Sequence, residues 1–422
     1  MKISISAVLG LTAALGLTNV MQASGWKADP AVVAETHEAR KREFNFDEAK
    51  VPAYQLPESL VMANGARVQT PEQWAARRQE ILELFREHVF GRRPGKPDQL
   101  RFETIENVSD AMEGKATLKR IMVHSQVADR THQFEITLFL PNEARGPVPV
   151  YLLINNRRPD NADPTRQVKR PFWPAEEVIE RGYGIAAIKT RELSPDTASR
   201  YTQGVIELFE GSADSRKDNA FRAIAAWSWG ASRAMDYFET DDRIDHTRVA
   251  IVGHSRGGKA ALWTGVEDPR FALVISNDSG CTGAAISRRR FGETVAIINT
   301  RFPHWFCENY RKFNDREHEL PVDQHMLMAL IAPRGLYVAS ADKDLWADPR
   351  GEFLSLVHSS DVYALWGHKP IEDTEMPALD SPTWFEPRGY HIRSGEHDLT
   401  IYDWQRFMDA GDKLWKRSAD SQ

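Results

Sequence analysis

A serine lies between two glycines in the segment Gly253-His254-Ser255-Arg256-Gly257, which follows a short apolar run and precedes a helical pattern. A tight strand-to-helix turn would expose the serine hydroxyl, and the glycines remove side chains that would clash with the strand and the helix. A hydroxyl presented in this way can attack a carbonyl carbon and form an acyl intermediate. The segment therefore predicts that Ser255 is a nucleophile in acyl transfer.

Such a serine needs a base to take its proton and an acid to orient the base. Asp278 and Asp344 each follow an apolar run that reads as a strand, and His397 comes later, just before a C-terminal helical pattern. The order serine, acid, histidine is the one found in the fold that presents a serine on such a turn. We predict His397 as the base and leave the acid open between Asp278 and Asp344. His391 alternates with apolar residues in a short strand and is interpreted as structural.

Two cations follow the serine closely. The backbone N–H of the residue after the nucleophile, here Arg256, is an oxyanion donor in this type of turn. The Arg256 guanidinium could add to that donor, or it could instead form a surface salt bridge. Lys259 follows Ser255 by four residues, so the helical period puts both on one face, one turn apart.

The elements that must position these residues are short apolar runs separated by helical stretches. Five runs read as strands buried on both faces: Val150–Ile154, Gly184–Ile188, Val249–Val252, Ala272–Ile275 and Leu336–Ala339. Buried strands that alternate with helices form a parallel sheet with helices on either side. We therefore predict an α/β protein with the α/β-hydrolase fold, a three-layer sandwich around a mostly parallel central sheet.

Residues 1–23 read as a secretory signal peptide. Met1-Lys2 is a short basic segment, and an uncharged, largely apolar stretch follows it and ends near Ala23. A membrane anchor is the alternative, because about 18 apolar residues can barely span a bilayer. We expect an exported protein, periplasmic or secreted, with no membrane contact once the signal is removed.

Residues 24–99 read as an N-terminal extension with one helix, and residues 100–422 as the catalytic domain. The helix is predicted to begin at Thr70 and Pro71, which have the residue types preferred at an N-cap and at the first helical position. At the start of the catalytic domain, the alternating runs Thr117–Val123 and Phe134–Leu140 predict an antiparallel pair at one edge of the sheet.

Composition excludes several classes of protein. The net charge of −6, from 54 basic and 60 acidic side chains, argues against a general nucleic-acid or anionic-membrane binder. Two cysteines are too few for a disulfide scaffold or a Cys-rich zinc module, and whether Cys281 and Cys307 pair is left open. The sequence contains no HExxH, CxxC or phosphate-loop motif, so we expect no metal and no cofactor.

Around the candidate site, the sequence resembles carbohydrate esterase family 15, the glucuronoyl esterases, and in particular its bacterial members. The resemblance covers most of the chain and is carried by Gly253 to Lys259, Ser276 to Cys281 with Gly283 to Ala285, Arg289 to Glu293, Phe302 to Cys307, Pro321 to His325, Trp346 to Arg350, and Gly389 to His391 with His397-Asp398.

The resemblance implies hydrolysis of the ester between the carboxyl of a (4-O-methyl-)glucuronic acid on xylan and a lignin alcohol. It implies that Lys259, Glu293 and Trp346 bind the uronate sugar, whereas a Gln that fungal members use has no evident counterpart here. Asp278 stands where fungal members have an acidic Glu, one methylene longer. Asp344 matches an acid that some bacterial members use or keep.

We therefore predict a serine-type glucuronoyl esterase with a Ser-His-Asp mechanism. It is expected to act on glucuronoxylan or a lignin–carbohydrate ester, as a monomer without a nucleic-acid or membrane partner. An acetyl xylan esterase, or another carbohydrate esterase of the same fold, is the first alternative, because it keeps the triad but does not need the uronate-binding residues. A non-catalytic carbohydrate-binding protein is the alternative from another class, and the intact Ser255 and His397 speak against it.

Overall fold

A ten-stranded sheet runs through the protein in a computed structural model that describes residues 25–40, 44–211 and 216–415. The strands are β1 (Gln99–Ala111), β2 (Ala116–Val127), β3 (Arg130–Pro141), β4 (Val148–Asn155), β5 (Gly184–Lys189), β6 (Ile244–His254), β7 (Leu273–Asn277), β8 (Gly335–Ala341), β9 (Thr383–Phe385) and β10 (Arg388–Arg393). They lie in the order β1-β2-β3-β5-β4-β6-β7-β8-β10-β9. Six adjacent strands are parallel, namely β5, β4, β6, β7, β8 and β10. The antiparallel strands β1, β2 and β3 lie on one side of them, and the antiparallel strand β9 lies on the other.

Helices and short 3₁₀ turns connect the strands. The α-helices of the described residues are α1 (Pro30–Ala39), α2 (Pro71–His88), α3 (Ala175–Glu180), α4 (Thr190–Leu193), α5 (Val205–Glu210), α6 (Ala223–Phe238), α7 (Arg256–Glu267), α8 (Val295–Arg301), α9 (Gln324–Ala329), α10 (Pro349–His358), α11 (Ser360–Ala364) and α12 (Ile401–Trp415). The 3₁₀ turns are Glu48–Lys50, Pro159–Ala162, Ser287–Arg289, Glu308–Phe313, Glu317–Glu319 and Leu345–Ala347.

Helices cover both faces of the sheet. Successive side chains of a strand point to opposite faces, so β4 contributes apolar side chains to the core on each side of the sheet. Leu152 belongs to the apolar cluster that includes residues of α2, α6 and α7, whereas Leu153 belongs to the cluster that includes Trp404 and Phe407 of α12. The predicted three-layer α/β-hydrolase sandwich is therefore confirmed.

All five apolar runs that predicted buried strands are strands, namely β4, β5, β6, β7 and β8. The predicted antiparallel pair is β2 with β3. The sequence analysis missed β1, which adds a further antiparallel strand outside β2. Most of the β1 side chains are exposed or half-buried, so this strand lacks the apolar run that marked the others.

The prediction of a single helix in residues 24–99 is wrong, because α1 precedes the predicted helix α2. Asp29 caps α1 and Pro30 begins it, as Thr70 and Pro71 do for α2. However, α1 buries none of its residues, so it lacks the apolar periodicity that reveals α2 in the sequence. Helix α2 packs Trp74 and other apolar residues into the main core.

The predicted signal peptide, residues 1–23, lies outside the described residues. Within the described ranges, no helix has both the length and the apolar character that crossing a membrane requires.

The two cysteines do not pair with each other. Cys281 and Cys307 are both buried, free thiols. Burial raises the pKa of Cys307 to about 12, and it also raises the pKa of Cys281. Both therefore remain protonated at neutral pH and act as small apolar residues of the core.

The carboxyl ends of the parallel strands meet at one edge of the sheet, as they do in open α/β sheets that bind ligands there. The last residues of β4, β6, β7, β8 and β10 are Asn155, His254, Asn277, Ala341 and Arg393. The loops that follow these residues carry the side chains predicted to do chemistry.

Candidate active site

Ser255 occupies the turn between β6 and α7 with a positive φ of 56° and a ψ of −125°. Such a conformation costs a non-glycine residue about 1–3 kcal/mol, so the surroundings must hold it. A Cβ atom on Gly253 would lie 2.0 Å from the carbonyl oxygen of Gly257, which leaves room only for glycine. The Ser255 N–H donates to the carbonyl oxygen of Asn277, 2.8 Å away. The strand-turn-helix arrangement holds Ser255 at the sheet edge, partly exposed.

His397 lies in the loop after β10. Its Nδ1 atom is 2.6 Å from Oδ2 of Asp344, which follows β8. A carboxylate only accepts, so Nδ1 carries the proton and Nε2 keeps the basic lone pair. The Asp344 side chain is 5% exposed, whereas that of His397 is 39% exposed. A buried acid thus orients a histidine that remains accessible to a substrate.

Asp278, the other candidate acid, follows β7 and is buried. Asp278, Asp344 and His397 lie close together: one carboxylate oxygen of each aspartate and one ring nitrogen of the histidine are within 4.8 Å of one another. Among the residues that the structure describes, only Asp344 forms a hydrogen bond with the His397 ring. Burial, and then the charge of Asp344, raise the pKa of Asp278 well above its ordinary value. Burial therefore favours the uncharged form of the Asp278 carboxyl.

The same three side chains form the one described group of acids, cysteines and histidines whose donor atoms are close enough to hold a metal ion. In this structure Nδ1 of His397 and Oδ2 of Asp344 instead form a hydrogen bond with each other, and its 2.6 Å length is typical of a charge-assisted hydrogen bond. The arrangement fits an acid–base pair.

His254, the residue before the serine, is fully buried beside the predicted base. Its ring centroid lies 4.4 Å from that of His397. Its Nε2 atom accepts from the Arg157 guanidinium at 3.1 Å, and its Nδ1–H donates to Oδ1 of Asn277 at 2.6 Å. Burial, followed by the neighbouring His397, lowers the pKa of His254 well below its usual range. A neutral ring therefore connects the serine turn with the His397 loop. Sequence reasoning missed this role, although His254 lies inside the serine motif.

Arg256 forms the salt bridge that the sequence left open, but with a largely buried partner. Its Nη1 donates to Oδ2 of Asp196 at 2.6 Å, and the guanidinium lies 5.0 Å from the ring centre of Trp305. Asp196 also accepts hydrogen bonds from His304 at 2.8 Å and from the Trp305 indole at 2.7 Å. These contacts fix the guanidinium in the turn after Ser255.

Burial alone would raise the pKa of Asp196, but the hydrogen bond from His304 and the charge of Arg256 oppose it and lower the pKa to about 2. Asp196 is therefore ionised at any physiological pH. Sequence reasoning gave no role to Asp196 or to His304, although His304 lies within the Phe302 to Cys307 segment, because the two residues lie far apart in the chain. Their proximity arises only from the fold.

Lys259 lies one turn into α7, as predicted, and its ammonium is buried. It donates to the carbonyl oxygens of Ser279 and Cys281, both 2.5 Å away, and lies 3.8 Å from Oε2 of Glu293. Burial lowers the pKa of Lys259 and raises that of Glu293, and each charge opposes the shift of the other. The structure thus brings together two of the three residues predicted to bind a sugar.

Trp346, the third predicted sugar-binding residue, lies next to Glu293. The Glu293 N–H donates to the carbonyl oxygen of Trp346 at 3.2 Å, and the Trp346 side chain opposes the rise in the Glu293 pKa that burial causes. The N-terminal extension contacts the indole: Phe44 packs edge-on at 4.9 Å between ring centres, and the Arg40 guanidinium lies 4.2 Å from the ring centre. The extension therefore forms part of the wall around this aromatic residue.

Comparisons with known proteins match most of the chain to glucuronoyl esterases and other carbohydrate esterases. The family model described as "Glucuronyl esterase, fungi" matches residues 123–367. A carbohydrate esterase from an unknown prokaryotic organism is 38% identical over 430 residues, which cover 93% of this chain and 96% of that protein. A 4-O-methyl-glucuronoyl methylesterase from Neurospora crassa is 27% identical over 322 residues, which cover 74% of this chain and 73% of that protein. The solved structure of a glucuronoyl esterase from Solibacter usitatus is 41% identical, covers 87% of this chain and 100% of that chain, and superposes with a TM-score of 0.80.

Proposed function

The chain belongs to carbohydrate esterase family 15, the glucuronoyl esterases, and we propose that it hydrolyses the ester between a glucuronic acid carboxyl of xylan and an alcohol of lignin. The observation that carries the proposal is the hydrogen bond from His397 to Asp344 at the sheet edge where the turn holds Ser255. The Neurospora crassa relative is named for a 4-O-methyl-glucuronoyl ester, which favours the 4-O-methyl sugar as part of the substrate.

The reaction begins when Nε2 of His397 takes the Ser255 proton, while Asp344 holds Nδ1–H and stabilises the imidazolium. The Ser255 oxygen attacks the ester carbonyl, and the tetrahedral intermediate collapses as His397 gives its proton to the leaving alcohol. In the second half-reaction, His397 takes a proton from a water that attacks the acyl-enzyme. Collapse of this second intermediate returns the proton to Ser255 and releases glucuronate.

The developing oxyanion is stabilised by Arg256 and by backbone N–H groups. The Arg256 N–H begins α7 and has no partner within the helix. Its guanidinium is held by the ionised Asp196 and adds positive charge next to Ser255. In this fold a second N–H comes from the loop after the strand beside the nucleophile strand, here the loop after β4. Asn156 lies in that loop and close to the start of α7, because a Cβ atom added to Gly257 would be only 3.2 Å from the Asn156 Oδ1 atom.

The uronate sugar is bound by Lys259, Glu293 and Trp346. The Glu293 carboxylate can accept from two neighbouring ring hydroxyls, and the charge of Lys259 opposes the rise in the Glu293 pKa that burial causes. Since two Lys259 N–H groups already bond to backbone carbonyls, Lys259 acts on the sugar mainly through Glu293 and through its remaining N–H. Trp346 supplies an apolar surface beside the carboxylate.

The protein is exported to the periplasm or beyond the cell, and it acts there as a monomer. Support for export comes from the signal-like pattern of residues 1–23. The proposed mechanism is consistent with a monomer, because Ser255, His397 and Asp344 meet within one chain and the reaction needs no residue of a second copy.

The experiment that tests the proposed function compares the hydrolysis of a benzyl glucuronate ester with that of acetylated xylan. We expect a much larger kcat/KM for the glucuronate ester, because an acetyl group leaves Lys259 and Glu293 without hydroxyl partners. A preference for acetylated xylan would instead identify an acetyl xylan esterase. Binding of glucuronoxylan without hydrolysis of either ester would identify a non-catalytic carbohydrate-binding protein.

A further inference from the structure

Arg393, the last residue of β10, is a buried cation without a role in the reaction described above. Its Nε donates to both carboxylate oxygens of Asp403, at 2.9 and 3.1 Å. Asp403 lies in the first turn of α12 and also accepts from the Thr400 N–H at 2.7 Å. Asp403 therefore anchors one side of the guanidinium to a rigid helix.

The other side of the Arg393 guanidinium holds the loop that carries His397. Nη2 donates to the carbonyl oxygens of Glu396 at 3.0 Å and of Asp398 at 2.5 Å, the residues on either side of His397. Nη1 donates to the carbonyl oxygen of Ser394 at 3.3 Å. Three carbonyl oxygens of one short loop thus converge on a single cation. A guanidinium can do this because its donors are fixed in one plane.

The same Nη2 atom lies 3.5 Å from Oδ2 of Asp278. The other oxygen of Asp278, Oδ1, is buried and has no hydrogen-bond partner among the described residues. Arg393 thus lies between the buried carboxyls of Asp278 and Asp403. It is the cation that links the loop after β7 with the loop after β10.

We propose that Arg393 is a positioning residue that fixes the His397 loop so that the imidazole meets Asp344. It acts through the backbone on both sides of His397, and Asp403 holds it in place. The proposal rests on the proposed function, because it assigns His397 the role of base. It predicts that a change at Arg393 affects the chemical step more than substrate binding, since Arg393 contacts none of the groups assigned to the sugar.

The test replaces Arg393 with Lys, which keeps the charge but cannot reach the three carbonyls and the carboxylate together. The control is Arg388→Lys, at the opposite end of β10. Arg388 is also fully buried, but it donates to Ser360 and to the carbonyl oxygen of Lys369, outside the candidate site. Both variants are assayed with benzyl glucuronate and with nitrophenyl acetate, and their folding is checked by thermal unfolding.

We expect Arg393→Lys to lower kcat on the order of 10- to 100-fold on both substrates with KM unchanged, because small misplacements of a catalytic group have effects of that size. Arg388→Lys should keep the kcat of the wild type. In a His397→Ala background, Arg393→Lys should have no additional effect, because it acts only through the missing ring. If Arg393→Lys does not fold, Arg393→Gln, which retains an amide donor for the carbonyls, is tested in the same way.

A spectroscopic readout separates this proposal from the proposed function. The downfield proton resonance of His397 Nδ1–H, assigned by its loss in His397→Ala, should shift or broaden in Arg393→Lys and stay unchanged in Arg388→Lys. An unchanged resonance with an unchanged kcat would overturn the role of Arg393 while leaving the esterase assignment intact. Full activity of His397→Ala would instead overturn the proposed mechanism itself. A further loss from Arg393→Lys in the His397→Ala background would make Arg393 a general structural residue.

Discussion

His397 and Asp344 form a 2.6 Å hydrogen bond although their loops follow different strands, β10 and β8. These strands are adjacent and parallel, and Arg393 at the end of β10 pairs with Ala341 at the end of β8. The register therefore delivers both loops to one point of the sheet edge. Asp278, after the next strand β7, also comes near, but burial raises its pKa, and among the described residues it forms no hydrogen bond with the His397 ring.

The two acids should differ in their effect on catalysis. Asp344→Asn should lower kcat by about 10⁴-fold, because an amide at this position favours the wrong imidazole tautomer and no longer stabilises the imidazolium. Asp278→Asn should have a far smaller effect, because Asp344 and not Asp278 bonds to the His397 ring, and burial already favours the uncharged form of the Asp278 carboxyl. Kinetics of the two variants on benzyl glucuronate provide the comparison, and each serves as the control for the other. Equal losses would mean that the acids share the task.

Arg256 should contribute to the chemical step rather than to substrate binding. The ester oxygen gains its negative charge only in the transition state, so the guanidinium stabilises that state selectively. Arg256→Ala should lower kcat on the order of 100- to 1,000-fold with little change in KM. Asp196→Asn should cause a smaller loss, since it loosens the guanidinium without removing it. A change confined to KM would assign Arg256 to sugar binding instead.

Glu293 should determine specificity for the uronate. Glu293→Ala and the more conservative Glu293→Gln should lower kcat/KM on glucuronate esters by roughly 100-fold, because hydrogen bonds to a charged group are lost. Both variants should keep the activity of the wild type on nitrophenyl acetate, which has no ring hydroxyls. Parallel losses on the two substrates would show that Glu293 is needed mainly to balance the buried charge of Lys259.

Asp196 should make the folded protein sensitive to acid. Its pKa in the folded state is about 2, against an ordinary value of 3.8, so folding favours the ionised form. The resulting stability, about 2 kcal/mol, is fully present above about pH 4 and is lost as the pH falls towards 2. Thermal unfolding of the wild type and of Asp196→Asn measures this contribution. The difference in Tm should narrow over that pH range, and a constant difference would argue against the lowered pKa.

The sequence predicted what short-range patterns encode. Buried strands, the Ser255 turn and helix α2 were all visible as apolar runs and as glycine or capping signals within a few residues. By contrast, α1 has the capping residues Asp29 and Pro30 but buries no side chain, so it lacks the apolar pattern that revealed α2. The acceptors of Arg393 in the His397 loop are close in the chain, but they are backbone carbonyls, which leave no mark in the sequence. Asp196 acts through partners that are distant in the chain, and the choice between Asp278 and Asp344 depends on distances of a few ångströms. Such relationships are set by tertiary packing, which local patterns do not contain.

The central claim is that Ser255 attacks a glucuronate ester with the help of His397. The most direct test is the kcat for benzyl glucuronate of the wild type, Ser255→Ala and His397→Ala, with folding checked by thermal unfolding. We expect active wild type and losses on the order of 10⁶-fold in either variant, because residues that act as a unit fail together. Folded variants that retain the wild-type kcat, or a wild type that leaves the glucuronate ester intact, would contradict the claim.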